Sequence, residues 1–73
     1  MQTMGDRIRI ARAHAGIHTG TAFAELLGVR AETLNRAENG HTTPSTSTLL
    51  LIAQKTGVRM EWLLTGEGSR VVS

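Results

Sequence analysis

The sequence of 73 residues has no cysteine or tyrosine, one proline, one phenylalanine and one tryptophan. The absence of cysteine excludes disulfides and metal sites built on thiolates, and it fits a reducing compartment. With only Phe23 and Trp62 as aromatic residues, aliphatic side chains must supply most of the buried surface. A chain of this length predicts a single small domain, which can fold alone if its elements share one core.

Long hydrophobic runs are also missing. The longest unbroken apolar run covers residues 49–53, whereas a membrane-spanning helix needs about 20 apolar residues. The N-terminal stretch MQTMGDRIRI lacks the apolar segment of a secretory signal. We therefore expect a cytoplasmic protein with no membrane partner.

Chemistry-bearing motifs are scarce. No pair of histidines combines the i,i+4 spacing of helical metal ligands with a third ligand nearby, and the acidic residues form no paired-carboxylate motif. No serine or threonine forms a recognisable nucleophile arrangement with a histidine. No nucleotide-binding glycine loop is present. The sequence predicts a protein that is not an enzyme and has no metal, no cofactor and no evident small-molecule ligand. The net charge of +2 permits a polyanionic partner without requiring one.

Glycines at positions 16, 28, 40, 57 and 66 each follow a segment of helical character, as expected where glycine ends a helix in the left-handed conformation. This spacing predicts an all-α fold, a compact bundle of five helices at about 5–15, 21–27, 31–39, 46–56 and 60–64. The domain is expected to span 1–66, and 67–73 to form a flexible tail or linker. The predicted core comprises Ile8, Ala11, Ile17, Phe23, Ala24, Leu27, Val29, Leu34, Ala37, Leu49, Leu50, Ile52, Ala53, Val58, Met60, Trp62 and Leu63.

The helix predicted over 31–39 is the most polar of the five. A helical wheel places Leu34 and Ala37 on one side and Glu32, Asn35 and Arg36 on the other. Guanidinium, amide and carboxylate groups are those that pair with base edges in the major groove of DNA. The tight turn expected at Gly28 would set the preceding helix across this one, an arrangement that predicts a helix-turn-helix.

The sequence resembles the lambda-repressor-like family of helix-turn-helix domains, which includes Cro and the phage repressors. The resemblance lies in five segments in this order: RIRIAR, AFAELLGV, ENG followed by a proline, TLLLIAQKTGV and EWLLTGEG. The resemblance covers residues 4–66. It implies a sequence-specific transcriptional regulator of repressor type that binds operator DNA as a two-fold homodimer. The alternative that stays open is a protein-interaction module of the same fold, such as an antitoxin or anti-repressor.

The resemblance implies that the base-reading positions of the family fall on Arg30, Ala31, Glu32 and Arg36. The helical wheel adds Asn35, which lies on the same outward face. The resemblance also implies a structural ion pair between Arg12 and Glu38. The expected phosphate contacts are the helix start at Gly20 and Thr21 and the residues that follow the reading helix, Asn39, His41, Thr42 and Thr43.

The sequence departs from the family at two of these places. Gly20 stands where the family usually has a glutamine that contacts phosphate, and the loop 41–43 lacks the usual lysine and arginine. Each lost phosphate contact lowers the salt slope of binding by about 0.9. We therefore expect weak binding by a monomer, with dimerisation or a second domain making up the difference. An apolar surface of Leu51 with Leu64 or Val58 is the candidate dimer contact.

Overall fold

In the computed structural model, which describes residues 2–71, the chain forms five α-helices and no extended strand. The predicted helices are all present, with bounds within one residue of those expected from the sequence. The fold class, an all-α five-helix bundle, is therefore confirmed. Its elements are α1 (Met4–His14), α2 (Gly20–Leu27), α3 (Ala31–Glu38), α4 (Thr46–Thr56) and α5 (Met60–Thr65).

Three of the helices begin at a hydroxyl side chain that accepts a hydrogen bond from the first turn. These N-caps are Thr3, Thr19 and Ser45. At α1 the cap is reciprocal, because the Thr3 N–H also donates to Asp6 Oδ2 at 3.1 Å. This backbone hydrogen bond is the main reason that the pKa of Asp6 lies below its ordinary value.

The core contains twelve buried apolar residues, and all twelve belong to the predicted set: Ile8, Ala11, Phe23, Ala24, Leu27, Leu34, Ala37, Leu49, Ile52, Val58, Trp62 and Leu63. Four other predicted members, Ile17, Val29, Ala53 and Met60, are half-buried. The core therefore forms mainly where the spacing of apolar residues placed it.

The prediction was wrong for the middle of the leucine run on α4. Leu50, expected in the core, is 46% exposed, whereas Leu51, expected to point outward, is half-buried and packs on the core. At 100° per residue both lie about equally far from the inward stripe of Leu49 and Ile52. Helical periodicity could not separate them, and the neighbouring helices decide which one is covered.

Arg7 is a buried arginine that the sequence pattern did not single out. It is 8% exposed, and its guanidinium donates from Nε to Leu63 O at 2.8 Å and from Nη2 to Leu64 O at 3.0 Å. A third bond runs from Nη1 to Gln2 O at 3.2 Å. The bonds to Leu63 and Leu64 satisfy carbonyl groups at the end of α5, which have no partners within the helix. Arg7 thereby ties the first helix to the last.

Helix α1 also packs closely on the end of α3. A Cβ built on Gly5 would lie 2.4 Å from Glu38 O and 2.9 Å from Ala37 O. Real side chains do not approach backbone oxygen this closely, so only glycine allows the observed separation. This contact fixes the orientation of α3 from its C-terminal end.

Part of the segment expected to form a free tail returns to the domain. The Arg59 N–H donates to Arg70 O at 2.8 Å, and Val71 pairs with Val58 in an isolated antiparallel bridge. The Arg70 guanidinium lies 5.9 Å from the centre of the Trp62 ring, within range of a cation–π interaction. The last two residues of the expected tail, 72–73, lie outside the described residues.

Candidate nucleic-acid interface

The turn between α2 and α3 sets the geometry of the site. Gly28 ends α2 with φ of +73°, a conformation that residues with a Cβ adopt at a cost. The Val29 N–H returns to Ala24 O at 3.0 Å and closes the turn. Ala24 is buried and small, so α2 and α3 meet closely. The sequence expectation of a helix-turn-helix at this glycine is confirmed.

Burial divides α3 into two faces as the helical wheel predicted. Leu34, Ala37 and Glu38 are buried and hold the helix to the bundle. The predicted base-reading residues are all exposed: Arg30, Ala31, Glu32, Asn35 and Arg36. At 100° per residue Thr33 falls on the side of Leu34 and Ala37, but the structure leaves it exposed.

The charged groups of the exposed face are not paired with one another. In the part of the chain that the structure describes, the ion pairs within 4.0 Å join Arg9 to Asp6, Arg9 to Glu38 and Arg12 to Glu38. A surface ion pair between Glu32 and Arg36 would have been the ordinary structural role for residues four apart on a helix. Their side chains are instead available to an external partner.

Glu38 anchors the inner side of α3. It is 7% exposed, and its Oε1 lies 3.5 Å from Arg12 Nη2 and 3.7 Å from Arg9 Nε. The ion pair expected with Arg12 is thus present, and Arg9 is a second cation at the same oxygen. Two cations stabilise a buried carboxylate that would otherwise be costly.

An open cleft runs between α1, α2 and the exposed face of α3. Its lining brings together the predicted phosphate contacts Gly20 and Thr21 with the predicted base-reading residues Ala31, Glu32 and Asn35. The other lining residues are the ion-paired Arg9, Arg12 and Glu38. Arg12 reaches the start of α2, because its Nη1 would lie 3.7 Å from a Cβ placed at Gly20.

The loop after α3 lies along the opposite flank of the helix. Thr42 and Thr43 line a groove with Arg36 and Pro44, and the exposed His41 donates its backbone N–H to Arg36 O at 2.9 Å. The reading face is therefore bordered by the cleft on one side and by this loop on the other.

A hydrogen-bond chain connects α1 to the reading face. Arg9 Nη2 donates to Asn39 Oδ1, and Asn39 Nδ2 donates to Asn35 Oδ1 at 3.1 Å. Asn39 was predicted as a phosphate contact, but Arg9 was not predicted as part of the site. Its exposed position on α1 gave no periodic signal, and only the packing of α1 against α3 brings it there.

The surface expected to mediate dimerisation is not formed as predicted. Val58 is 2% exposed and belongs to the core, and Leu51 is half-buried. Leu64 is 41% exposed and is the one residue of the three that is largely open. The apolar side chains that stand out from the bundle are Leu26, Leu50 and Leu64.

Over residues 2–71, no group of three histidine or acidic side chains is placed to hold a metal ion. None of the helices in this range has the length and hydropathy required to cross a membrane.

These features define a helix-turn-helix domain of the lambda-repressor-like type. The family model described as "Helix-turn-helix" matches residues 8–63, and the chain belongs to that family. The P22 c2 repressor protein in complex with synthetic operator 9T has a similar fold, with a TM-score of 0.81 and 27% identity over 92% of this chain and 100% of that one. The solution structure of the P22 c2 repressor DNA-binding domain gives a TM-score of 0.79 and 29% identity, covering 93% and 88% of the two chains.

Two curated proteins are similar in sequence. A propionyl-CoA carboxylase regulator of Cereibacter sphaeroides is 38% identical over 69 residues, which cover 94% of this chain and 15% of that protein. An uncharacterised helix-turn-helix transcriptional regulator of Haemophilus influenzae is 47% identical over 45 residues, covering 62% and 19%. The aligned segments therefore cover less than a fifth of the length of either relative.

Proposed function

We propose that this domain binds duplex DNA at a specific operator and regulates transcription, with repression by operator occupancy as its mode of action. The observation that carries the proposal is the exposed face of α3, where Glu32, Asn35 and Arg36 project from a helix whose other side is locked into the bundle. Support comes from the helix-turn-helix family match and from the likeness to a repressor in complex with its operator.

In this proposal α3 enters the major groove. Arg36 donates to guanine O6 and N7, Ala31 contacts a thymine methyl group, and Glu32 accepts from cytosine N4 or repels unsuitable sites. Arg30 adds a further contact at the start of the helix, where its side chain makes no capping hydrogen bond.

The phosphate contacts are proposed on both flanks of α3. Gly20 and Thr21 offer backbone N–H groups at the start of α2, where a helix attracts an anion. Asn39 and the loop residues His41, Thr42 and Thr43 would contact phosphates of the DNA backbone on the other flank of the helix. Few of these groups carry charge, so the salt dependence of binding should be modest.

A two-fold dimer would place two copies of α3 in successive major grooves, about 34 Å apart. Leu64 at the end of α5 is the proposed contact between copies, because it is the exposed member of the surface expected from the sequence. Sedimentation of Leu64→Glu on operator DNA tests this. Loss of two-to-one complexes is expected, and an unchanged stoichiometry would exclude this contact.

The test of the function begins with selection of bound sites from random duplex DNA. Arg36→Ala should then lower the preference for the selected base at one position about 10–100-fold, corresponding to about 1–3 kcal/mol. Arg59→Ala is the matched control, because it removes the same charge from an exposed arginine at the start of α5, outside the cleft and the loop groove.

Failure to select any site would count against DNA recognition. The other candidate is then the interaction module, for which the loop 41–43 without lysine or arginine and the three exposed leucines are the structural arguments. A stoichiometric protein partner that remains bound at high salt would favour it.

A further inference from the structure

We propose that Arg9 is a positioning residue for sequence readout, acting through Asn39 to fix the side-chain amide of Asn35 with its N–H groups directed at the DNA. The proposal rests on the proposed function and adds to it both a specificity-determining residue and the type of base atom that Asn35 recognises. It is carried by the hydrogen-bond chain between α1 and α3.

The direction of the chain follows from the chemistry of its first member. A guanidinium group has donors and no acceptor. Arg9 can therefore meet Asn39 only at its carbonyl oxygen, which sets the orientation of the Asn39 amide. The Asn39 Nδ2 group is then the atom that faces Asn35, and as a donor it requires Asn35 Oδ1 as its acceptor. Both amide orientations are fixed without reference to DNA.

Arg9 is itself held in place. Its Nε lies 3.7 Å from Glu38 Oε1, and its Nη1 lies 4.0 Å from Asp6 Oδ1. Glu38 is buried at the inner side of α3, so this end of the chain is attached to the bundle core. The orientation of an exposed amide on α3 is thereby linked to a buried carboxylate and to the first helix.

The consequence concerns what Asn35 offers to a base. Its Oδ1 is engaged by Asn39, and its Nδ2 donates no hydrogen bond to another group of the described residues. An asparagine that was free to rotate could present either end of its amide. The fixed amide presents donors, so the structure favours a base pair with an acceptor at this position: purine N7, guanine O6 or thymine O4.

Pre-orientation also lowers the cost of binding, because fewer side-chain conformations are lost when the base contact forms. Since Asn35 lines the cleft beside Thr21 and Ala31, the oriented amide lies next to the proposed phosphate contact at the start of α2. A base contact and a phosphate contact would then be set by the same packing of α1 on α3.

The test uses selected sites and three variants that break the chain at different points. Asn39→Asp keeps an acceptor for Arg9 and removes the donor to Asn35, Arg9→Gln replaces the donor-only group, and Asn35→Asp removes the donors that face the DNA. Each of the three lowers the net charge by one unit, so their effects on non-specific affinity should be similar.

Asn39→Asp and Arg9→Gln should each reduce discrimination about 3–10-fold at the base pair read by Asn35, and leave the preference read by Arg36 unchanged. Arg9→Lys, which retains a donor-only cation, should restore most of the selectivity. The double variant Arg9→Gln with Asn35→Ala should lose no more base discrimination at that position than Asn35→Ala alone. Glu25→Lys, on the exposed side of α2, calibrates the effect of charge on affinity.

Selectivity at the Asn35 position that is unchanged by Arg9→Gln and Asn39→Asp would overturn the positioning role, although DNA binding itself would stand. An even loss of affinity at all positions, with discrimination at the Asn35 position preserved, would also contradict it, because Arg9 and Asn39 would then act only through phosphate contacts. If the wild-type domain selects no site, the proposed function fails first. Thermal unfolding of each variant separates these results from loss of the fold.

Discussion

Arg7 Nε lies 2.8 Å from the carbonyl oxygen of Leu63, and this hydrogen bond joins the first helix to the last across 56 positions of the chain. The same guanidinium reaches Leu64 O. A single side chain therefore satisfies two carbonyl groups at the end of α5, a helix of only six residues. Helices this short have little stability alone, so α5 depends on contacts of this kind.

Replacing Arg7 by alanine should strongly destabilise the domain. Hydrogen bonds to charged groups contribute about 1.5–3 kcal/mol, and the carbonyl groups left behind lose a buried partner. Denaturant unfolding should show a loss of at least about 2 kcal/mol for Arg7→Ala. Arg59→Ala, at an exposed arginine with no capping bond, should change stability by less than about 0.5 kcal/mol. Equal effects would show that Arg7 acts only through its charge.

Two glycines in the first turns of helices give a second, matched prediction. Gly5→Ala introduces a Cβ about where Glu38 O already lies, so α1 must move away from α3; overpacking of this kind costs about 1–3 kcal/mol. Gly20→Ala places its Cβ at ordinary distance from Arg12, and alanine is the better helix former. Melting temperatures should fall for the first variant and stay level or rise for the second. A rise for both would rule out the close approach of α1 to α3.

Three consecutive leucines on α4 differ in burial but not in residue type, so their alanine variants test how burial affects stability. Leu49→Ala should cost about 2–5 kcal/mol, because its side chain is 4% exposed and its removal leaves a cavity. Leu50→Ala removes the same atoms from a side chain that is 46% exposed and should cost far less. Leu51→Ala should fall between them. Chemical denaturation measures the loss of stability in each variant. A larger loss for Leu50→Ala than for Leu49→Ala or Leu51→Ala would contradict the structure.

The carboxylate of Asp6 predicts a small dependence of stability on pH. Its pKa is lowered in the folded protein, first by the hydrogen bond from the Thr3 N–H. A lowered pKa means that the stabilisation is present above the unfolded value of 3.8 and is lost as pH falls through the folded pKa. The stability difference between wild type and Asp6→Asn should thus be largest near neutral pH.

That difference should shrink toward zero below the folded pKa of Asp6. Unfolding curves from pH 6 to pH 2 provide the measurement. Glu25→Gln is the control, because it removes an exposed charge on α2 that takes part in no ion pair of the described residues. The same pH profile for both variants would show a general charge effect instead of a local cap.

Local patterns predicted most of the fold. The glycine spacing predicted all five helices, and apolar periodicity identified every fully buried apolar residue of the described chain. The pattern failed where two leucines were equivalent by periodicity, at Leu50 and Leu51. Val58 was expected both in the core and at the dimer surface; it pairs with Val71 and is buried, so only the core prediction is confirmed.

The candidate site was predictable in part. The exposed residues of α3 follow from helical spacing within one element, and the structure places all of them on the surface. Arg7 and Arg9 could not be assigned in this way, because their partners lie 56 and 30 positions away in sequence. Their roles depend on how helices pack, which short-range spacing does not determine. The DNA contacts themselves stay predictions.

The close seating of α1 on the end of α3 also constrains how this domain could acquire a new target. Exposed side chains such as Glu32 and Arg36 can be exchanged without disturbing the bundle, because neither contributes to its core or to its ion pairs. Gly5 and Glu38 have no such freedom, since they hold the end of α3 against α1. Variation in target preference should therefore accumulate at the first two positions while Gly5 and Glu38 keep the helix in place.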